Sequence, residues 1–405
     1  DVANLRLTNW LNDQENRFNY IIYEADDTPT QWTRRCFGCS DQTLLVADAR
    51  KSWEKAPNET ALEQNAGKTL PRRKLVLVHP DDGRPPRNTA RWLDARQLEN
   101  HVHLRQKHEG DFKRLARLLT GNGIGLALGG GGAKGFAHIG VVKALDRIGI
   151  PIDHVGGTSM GGVIACNLAL GWNHHTMAAN HRTEFSLNNP FKDYTVPLYA
   201  LLRCRKLDNV LDRYFEGHAM EDMWINCFVV SSSLTTTRLK VHKRGAMARN
   251  VRASVALPGI TTPVIMDNEM LIDGGVLNNM PGDIMKKECG GKVMAVNVSA
   301  KGDFSASFER FPAPGKAVLN RLMPPPLGQR GSGVPNILEL ISRCIILSSE
   351  TRLQQVKKSV DAYLEPPVGQ FRTLDFNRVD DIIQAGYDYT MAREAELKQK
   401  LGLDG

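Results

Sequence analysis

The chain has 405 residues, a formal net charge of +8, 24% charged and 41% hydrophobic side chains, and seven scattered cysteines. That is length enough for two domains with cores that need no staples, and the odd cysteine count argues against a disulfide scaffold and for a reducing compartment. No run approaches the roughly 18 apolar residues of a membrane-spanning helix. Basic residues gather at Arg72, Arg73 and Lys74, over 84–117 and over 238–252. These runs could face anionic lipid, but they lack the interleaved aromatics that stack bases, so no nucleic acid partner is expected. The chain starts at Asp1 without a basic-then-apolar leader, which reads as a trimmed or processed chain.

Taken in order, β-rich runs at 20–23, 43–47, 74–78 and 101–104 alternate with helical spacing at 32–37, 53–64 and 89–97. That order predicts a small parallel α/β domain, to which an amphipathic connector helix at 111–119 is joined, giving a first domain over 1–120. Cys36 and Cys39 form a lone CxxC with no second pair, so buried thiols are expected there and no metal. The second domain is expected over 121–405, with its core at about 124–300. It opens with strand 124–128, helix 136–148 and strand 152–155, a βαβ unit, and further strands are expected at 227–232, 239–242, 270–272 and 293–298. A Pro/Gly-rich stretch at 311–335 reads as a mobile surface loop, and 337–360 and 379–401 as helices.

Directly after strand 124–128 stands Leu-Gly-Gly-Gly-Gly-Ala-Lys-Gly, 128–135, leading into a helix. Gly130, Gly132 and Gly135 satisfy GxGxxG, with Asp153 about 20 residues on, as a dinucleotide site requires. The same glycines could instead converge their amides on the oxyanion of an ester under attack. The loop alone does not choose. One strand later, Gly157-Thr158-Ser159-Met160-Gly161 spells GxSxG at a strand-to-helix turn, the setting of a nucleophile elbow. A helix N-cap by Ser159 or Thr158 is the plain alternative, though capping does not explain a glycine on each side. A βαβ crossover opens both loops at one sheet edge.

A nucleophilic serine needs a base. The last histidine is His242, and none of the histidines sits at a clear strand end facing the elbow; 174–175 reads as a turn after a helix. Asp273 does: it follows the run 270–272 and precedes Gly274 and Gly275, so a further parallel-type strand could deliver its carboxylate to the elbow. Alone, Asp-Gly-Gly is a turn. Beside the other two motifs it is the candidate base, if burial raises a proton affinity that begins at about 3.9.

The order glycine loop, GTSMGG, DGG resembles the patatin-like phospholipases. The stretches at 115–122, 129–141, 155–162, 251–259 and 271–281, with WLNDQE at 10–15 and QWTRRC at 31–36, resemble the neuropathy target esterase branch. The resemblance covers nearly the whole chain. It implies a three-layer α/β fold with a parallel central sheet, and release of fatty acid from phospholipids or lysophospholipids, typically lysophosphatidylcholine. It further implies Ser159 as nucleophile, Asp273 as base, and Gly130, Gly131 and Gly132 as oxyanion donors, with no cofactor or metal. Peripheral membrane association on the cytoplasmic side is expected, with cyclic-nucleotide-binding-like domains and a membrane anchor upstream in full-length members. The common motif has Asp and Arg where this chain has Gly129 and Lys134, and Thr261, Thr262 and Pro263 stand where many relatives carry an aromatic and prolines. The aromatic and apolar residues Phe185, Phe191, Tyr194, Val196, Leu198 and Tyr199 form a candidate lid or acyl groove, with plain core as the alternative. Acyl transfer, a non-catalytic membrane module and a nucleotide-dependent oxidoreductase are the rival readings.

Overall fold

The computed structural model describes residues 2–65, 72–299 and 337–403; the stretch expected as a surface loop at 311–335 lies outside them. The chain divides into two compact units, one of Asp1–Asp82 with Asn88–Lys107, the other of Gly83–Arg87 with His108–Gly405.

The first unit runs α1 (Val2–Arg17), α2 (Gln31–Cys39), β1 (Gln42–Asp48), α3 (Pro57–Asn65), β2 (Arg72–His79), α4 (Thr89–Arg96), β3 (His101–Arg105). Its three strands pair in parallel in the order β1-β2-β3, over a core of Leu75, Leu77, Trp92, Leu93 and Leu98. The expected strand at 20–23 does not form. Tyr20 and Ile22 are exposed, so the aromatic and apolar run there has no surface to bury and no strand to pair.

The second unit continues with α5 (Glu109–Leu119), β4 (Ile124–Leu128), α6 (Ala137–Arg147), β5 (His154–Thr158), α7 (Met160–Ala169), α8 (His174–His181), α9 (Arg205–Phe215), β6 (Asn226–Ser233) and β7 (Leu239–His242). After these come α10 (Met247–Ser254), β8 (Val264–Met266), β9 (Glu269–Asp273), α11 (Gly275–Asn278), α12 (Gly282–Cys289), β10 (Lys292–Val296), α13 (Ile337–Ser359), β11 (Ala362–Leu364), α14 (Val379–Met391) and α15 (Glu394–Leu401). Strands β11, β10, β4, β5 and β6 pair in parallel in that order, while β7, β8 and β9 are antiparallel additions. Period-2 alternation splits the core. Ile124, Leu126, Leu128, Val155 and Val229 pack with α6, α7, α9 and α14 on one face. Ala127, Phe228, Val230, Val293 and Ala295 pack with α12 and α13 on the other, which makes three layers.

Helix α6, which emerges from the glycine loop, crosses α14 at backbone distance. A Cβ at Gly140 would stand 1.9 Å from the Ile383 carbonyl oxygen, and one at Gly386 would stand 2.1 Å from that of Ala137. Among the described residues no helix is long and apolar enough to cross a membrane.

Candidate active site

Ser159 occupies the turn between β5 and α7 at φ 53° and ψ −127°, a region a non-glycine residue enters only under constraint. The turn is this tight because its flanks are glycine. A Cβ on Gly157 would lie 2.4 Å from the Gly161 carbonyl carbon, and one on Gly161 would lie 2.3 Å from the Leu128 oxygen. Neither hydroxyl caps the helix. Ser159 makes no side-chain cap bond, and Thr158 Oγ1 donates to the Asn278 carbonyl at 2.9 Å. The Ser159 N–H donates to Ser254 Oγ at 3.0 Å, which ties the elbow to the end of α10.

Asp273 arrives by a route the alternation of residues does not reveal. Strand β9 is antiparallel to β6, where the sequence reading expected a parallel strand. Val229 and Val230 of β6 pair with β5 and also with β7, and Ser231 and Ser232 pair with β9 and also with β7. A strand has two edges, so β5 and β9 must share the one opposite β7, running toward each other. Thr158 pairs Val230 and Asp273 pairs Ser231, so the two strands meet end to end and leave Ser159 beside Asp273. Burial pushes the Asp273 carboxyl up to about 6, against the Gly275 N–H that donates to Oδ1 at 2.7 Å and the nearby Ser159 hydroxyl, both of which favour the charged form. Oδ2 has no hydrogen-bond partner, so the serine hydroxyl is close without closing a bond.

The glycine loop lies against the elbow: a Cβ on Gly130 would stand 3.2 Å from Ser159 Cβ. Two side chains that sequence reading passed over hold this loop. Buried His138 donates from Nε2 to the Gly129 carbonyl at 2.8 Å, and burial lowers its imidazole to about 4, which keeps it neutral. Asn279 accepts the Gly130 N–H on its own carbonyl at 3.0 Å, and its Nδ2 donates to the Gly130 carbonyl at 3.1 Å. The N–H and C=O of a trans peptide point in opposite directions, so fixing the Gly130 carbonyl on Asn279 turns the Gly131 N–H the other way. Of the three expected donors, Gly130 has its amide committed; those of Gly131 and Gly132 have no acceptor among the described residues. A signal for Asn279 did exist: it lies six residues after Asp273 in the same stretch, LIDGGVLNNMP.

Two cavities meet at Ser159. One, a space of about 490 Å³ counting its opening to solvent, is lined by Gly130, Gly131, Gly132, Lys134, Asp273, Asn279 and Ser299. The other, a space of about 920 Å³ counting its opening to solvent, is walled almost wholly by apolar side chains, among them Met160, Val163, Phe185, Leu207, Leu211, Ile260 and Phe376. Gly132, Ser159, Leu257 and Thr373 belong to both. Phe191 and Tyr194 from the expected lid or groove also line the larger one, whereas Val196, Leu198 and Tyr199 are exposed.

No histidine lines either cavity among the described residues. His174 and His175 open α8, capped by Asn173, where the sequence suggested a turn. His181 is buried against Asn167 and lowered to about 3, and His242 bonds Ser231 Oγ at 2.7 Å and is lowered to about 4, each by burial. Asp153, the acid of the dinucleotide reading, lies at the opposite end of the sheet from the glycines. It accepts the N–H of Ile124, the first residue of β4, and pairs with Arg117 at 2.6 Å. A ribose on the glycine loop would be a strand length away, so GxGxxG here is not a dinucleotide site. The basic run 238–252 is compensated in part, since Lys240 pairs with Glu269, Lys243 with Glu288 and Arg252 with Asp208.

Comparison with known proteins adds the following. Residues 126–285 match the model of the patatin-like phospholipases, and residues 1–107 match that of the neuropathy target esterase family P-loop like domain. The chain is 33% identical to "Patatin-like phospholipase domain-containing protein 6" of Homo sapiens over 96% of its own length and 30% of that protein's. It is 31% identical to "Neuropathy target esterase sws" of Drosophila melanogaster, over 94% of this chain and 29% of that protein. It is likewise 31% identical to "Lysophospholipase NTE1" of Yarrowia lipolytica, over 98% and 32%. The chain therefore spans about a third of the length of these curated relatives. Among solved structures it is similar to VipD from Legionella pneumophila, with TM-score 0.37 and 16% identity over 68% of this chain and 66% of that one.

Proposed function

The chain belongs to the patatin-like phospholipase family, in its neuropathy target esterase branch, and from that premise we propose that it is a serine hydrolase releasing fatty acid from lysophospholipids, with lysophosphatidylcholine the expected substrate. The observation that carries the reading is the position of Ser159, beside a buried carboxylate and at the junction of an apolar and a polar cavity. An amphiphile with one acyl chain matches that junction. The chain enters the apolar side, the ester carbonyl comes to Ser159, and the head group remains in the polar side. There Lys134 is the one basic residue in the lining among the described residues, its proton affinity lowered by burial, and an anionic phosphate beside it would offset that cost.

In the proposed reaction Asp273 Oδ2 takes the proton of Ser159 Oγ as the oxygen adds to the carbonyl. The oxyanion forms toward the Gly131 and Gly132 amides, the first oriented in advance by the hold of Asn279 on the Gly130 carbonyl, and donors fixed before the reaction cost no reorganisation during it. Collapse breaks the ester bond to the head-group alcohol, which leaves with the proton held by Asp273. Water then attacks the acyl-serine, gives a proton to the same carboxylate, and fatty acid departs as Oγ recovers it. The domain division expected at 120/121 places this chemistry in the second part of the chain. The first is read as structural or regulatory, and membrane association as peripheral.

Fatty acid release from lysophosphatidylcholine by wild type, Ser159→Ala and Asp273→Asn tests the dyad. Each variant should lose at least about 10³-fold in kcat. Substantial activity in either overturns the assignment, and equal turnover of a monoacylglycerol would remove the phosphate from the specificity.

A further inference from the structure

Between Asn189 and Cys204, both at positive φ, the chain makes an excursion that packs at its base and projects at its tip. The base is fastened twice over. Tyr194 and Leu202 form an antiparallel bridge, Thr195 N–H donates to the Leu201 carbonyl at 3.0 Å, and Arg203 N–H donates to Asp193 at 2.7 Å. The amides of Leu201 and Leu202 then bond the Gly259 and Ile260 carbonyls at 3.0 and 2.9 Å, which anchors the hairpin to the segment leading into the site. Its tip is Val196-Pro197-Leu198-Tyr199, with Val196 72%, Leu198 77% and Tyr199 85% exposed. Three large apolar groups on a fastened stem, all turned to water, have no account in core packing.

We propose that this hairpin is a prong that inserts into the surface of a phospholipid bilayer containing anionic lipid and sets the mouth of the acyl cavity against it. Two observations select that occupant. The apolar tip is continuous with the larger cavity, since Tyr194, Leu201 and Leu202 of the stem line the same space that ends at Ser159. The stem is also flanked by exposed Lys192, Arg203, Arg205 and Lys206, none in an ion pair among the described residues, whereas Lys240, Lys243 and Arg252 of the basic run at 238–252 are each paired with a carboxylate. Apolar and aromatic groups ringed by cations are what a monolayer of acyl chains beneath anionic head groups recognises. A lipid would then pass from bilayer to nucleophile along apolar wall.

The proposal rests on the lipid-hydrolase reading of the site, and its test separates the two. Binding of the full chain to phosphatidylcholine–phosphatidylglycerol vesicles is measured by sedimentation, and hydrolysis of a water-soluble short-chain ester is measured in parallel. A Val196→Asp, Leu198→Asp double variant should bind about a hundredfold more weakly, because two side chains worth roughly tenfold or more each are withdrawn from the apolar layer. Its turnover of the soluble ester should be unchanged, which also reports that it folds. The indole of a Tyr199→Trp variant should shift to the blue on vesicles and be quenched by brominated lipid. Vesicle binding equal to wild type in the double variant, an indole that stays in water, or a wild type that dimerises through the prong would each overturn the proposal. Ser159→Ala should bind vesicles as wild type does. If wild type binds through the prong yet turns over no ester, only the hydrolase reading falls.

Discussion

At Asp273, stability and the proposed reactivity pull in opposite directions. Burial raises the carboxyl to about 6, so between the ordinary carboxylate range near 4 and that value the folded chain holds a proton the unfolded chain has released. Stability therefore falls as pH rises through this window and is level above it, the reverse of a salt-bridged aspartate. Keeping this buried carboxylate ionised at neutral pH costs the fold roughly 2–3 kcal/mol, at about 1.4 kcal/mol for each tenfold rise in proton affinity. Asp273→Asn should accordingly be inactive yet more stable than wild type by about that amount at pH 8, the difference shrinking to nothing near pH 4, in urea unfolding followed by circular dichroism. In wild type kcat/KM should be level above about pH 7 and fall tenfold per pH unit well below 6. Loss of activity on the alkaline side instead would point to a different base. The motif located this aspartate in the sequence. Its proton affinity was not legible there, because burial belongs to its neighbours and not to Asp-Gly-Gly.

Among elements, the meeting of β5 and β9 matters more than either strand. Alternating hydrophobicity gives a strand's period and says nothing of its direction, which is why β9 could be expected parallel and yet run antiparallel while Asp273 still reached the elbow. The same limit hid Asn279. It stands just beyond α11, the short helix that follows Asp273, and grips Gly130 from both sides, so one stretch supplies the carboxylate and orients the loop opposite. Asn279→Ala removes the Nδ2 donor and should lower kcat about a hundredfold, the usual cost of losing one oxyanion donor. KM and the acid limb set by Asp273 should stay where they are. A shift of that limb, or a loss confined to KM, would mean that Asn279 serves the carboxylate or the substrate and not the loop.

Across the whole molecule, sequence reading reached what is local and lost what is assembled. The βαβ unit around 124–170 and the terminal helices were legible from spacing, because each is complete within a few turns of chain. The strand assigned at 20–23 failed because β-rich residue types without a surface to bury do not make a strand. The apolar cavity was beyond reach of any window. Its wall takes Val163 from α7, Leu207 and Leu211 from α9, Ile260 from the segment before β8, and Leu374 and Phe376 from the far C-terminal region. Residues more than 200 positions apart thus share one wall, and on the proposed reading the length of acyl chain accepted would be a property of the whole second unit. Leu211→Trp should shorten the cavity without touching Ser159 or Asp273. The ratio of kcat/KM for palmitoyl over hexanoyl lysophospholipid should then fall at least about tenfold, since several methylenes at roughly 0.8 kcal/mol each lose their place. Turnover of the short substrate should hold, and the melting temperature should not drop, because the added ring fills space that is already open. An unchanged chain-length profile would show that the acyl group lies elsewhere, and the cavity would then have to be read as packing left unfilled.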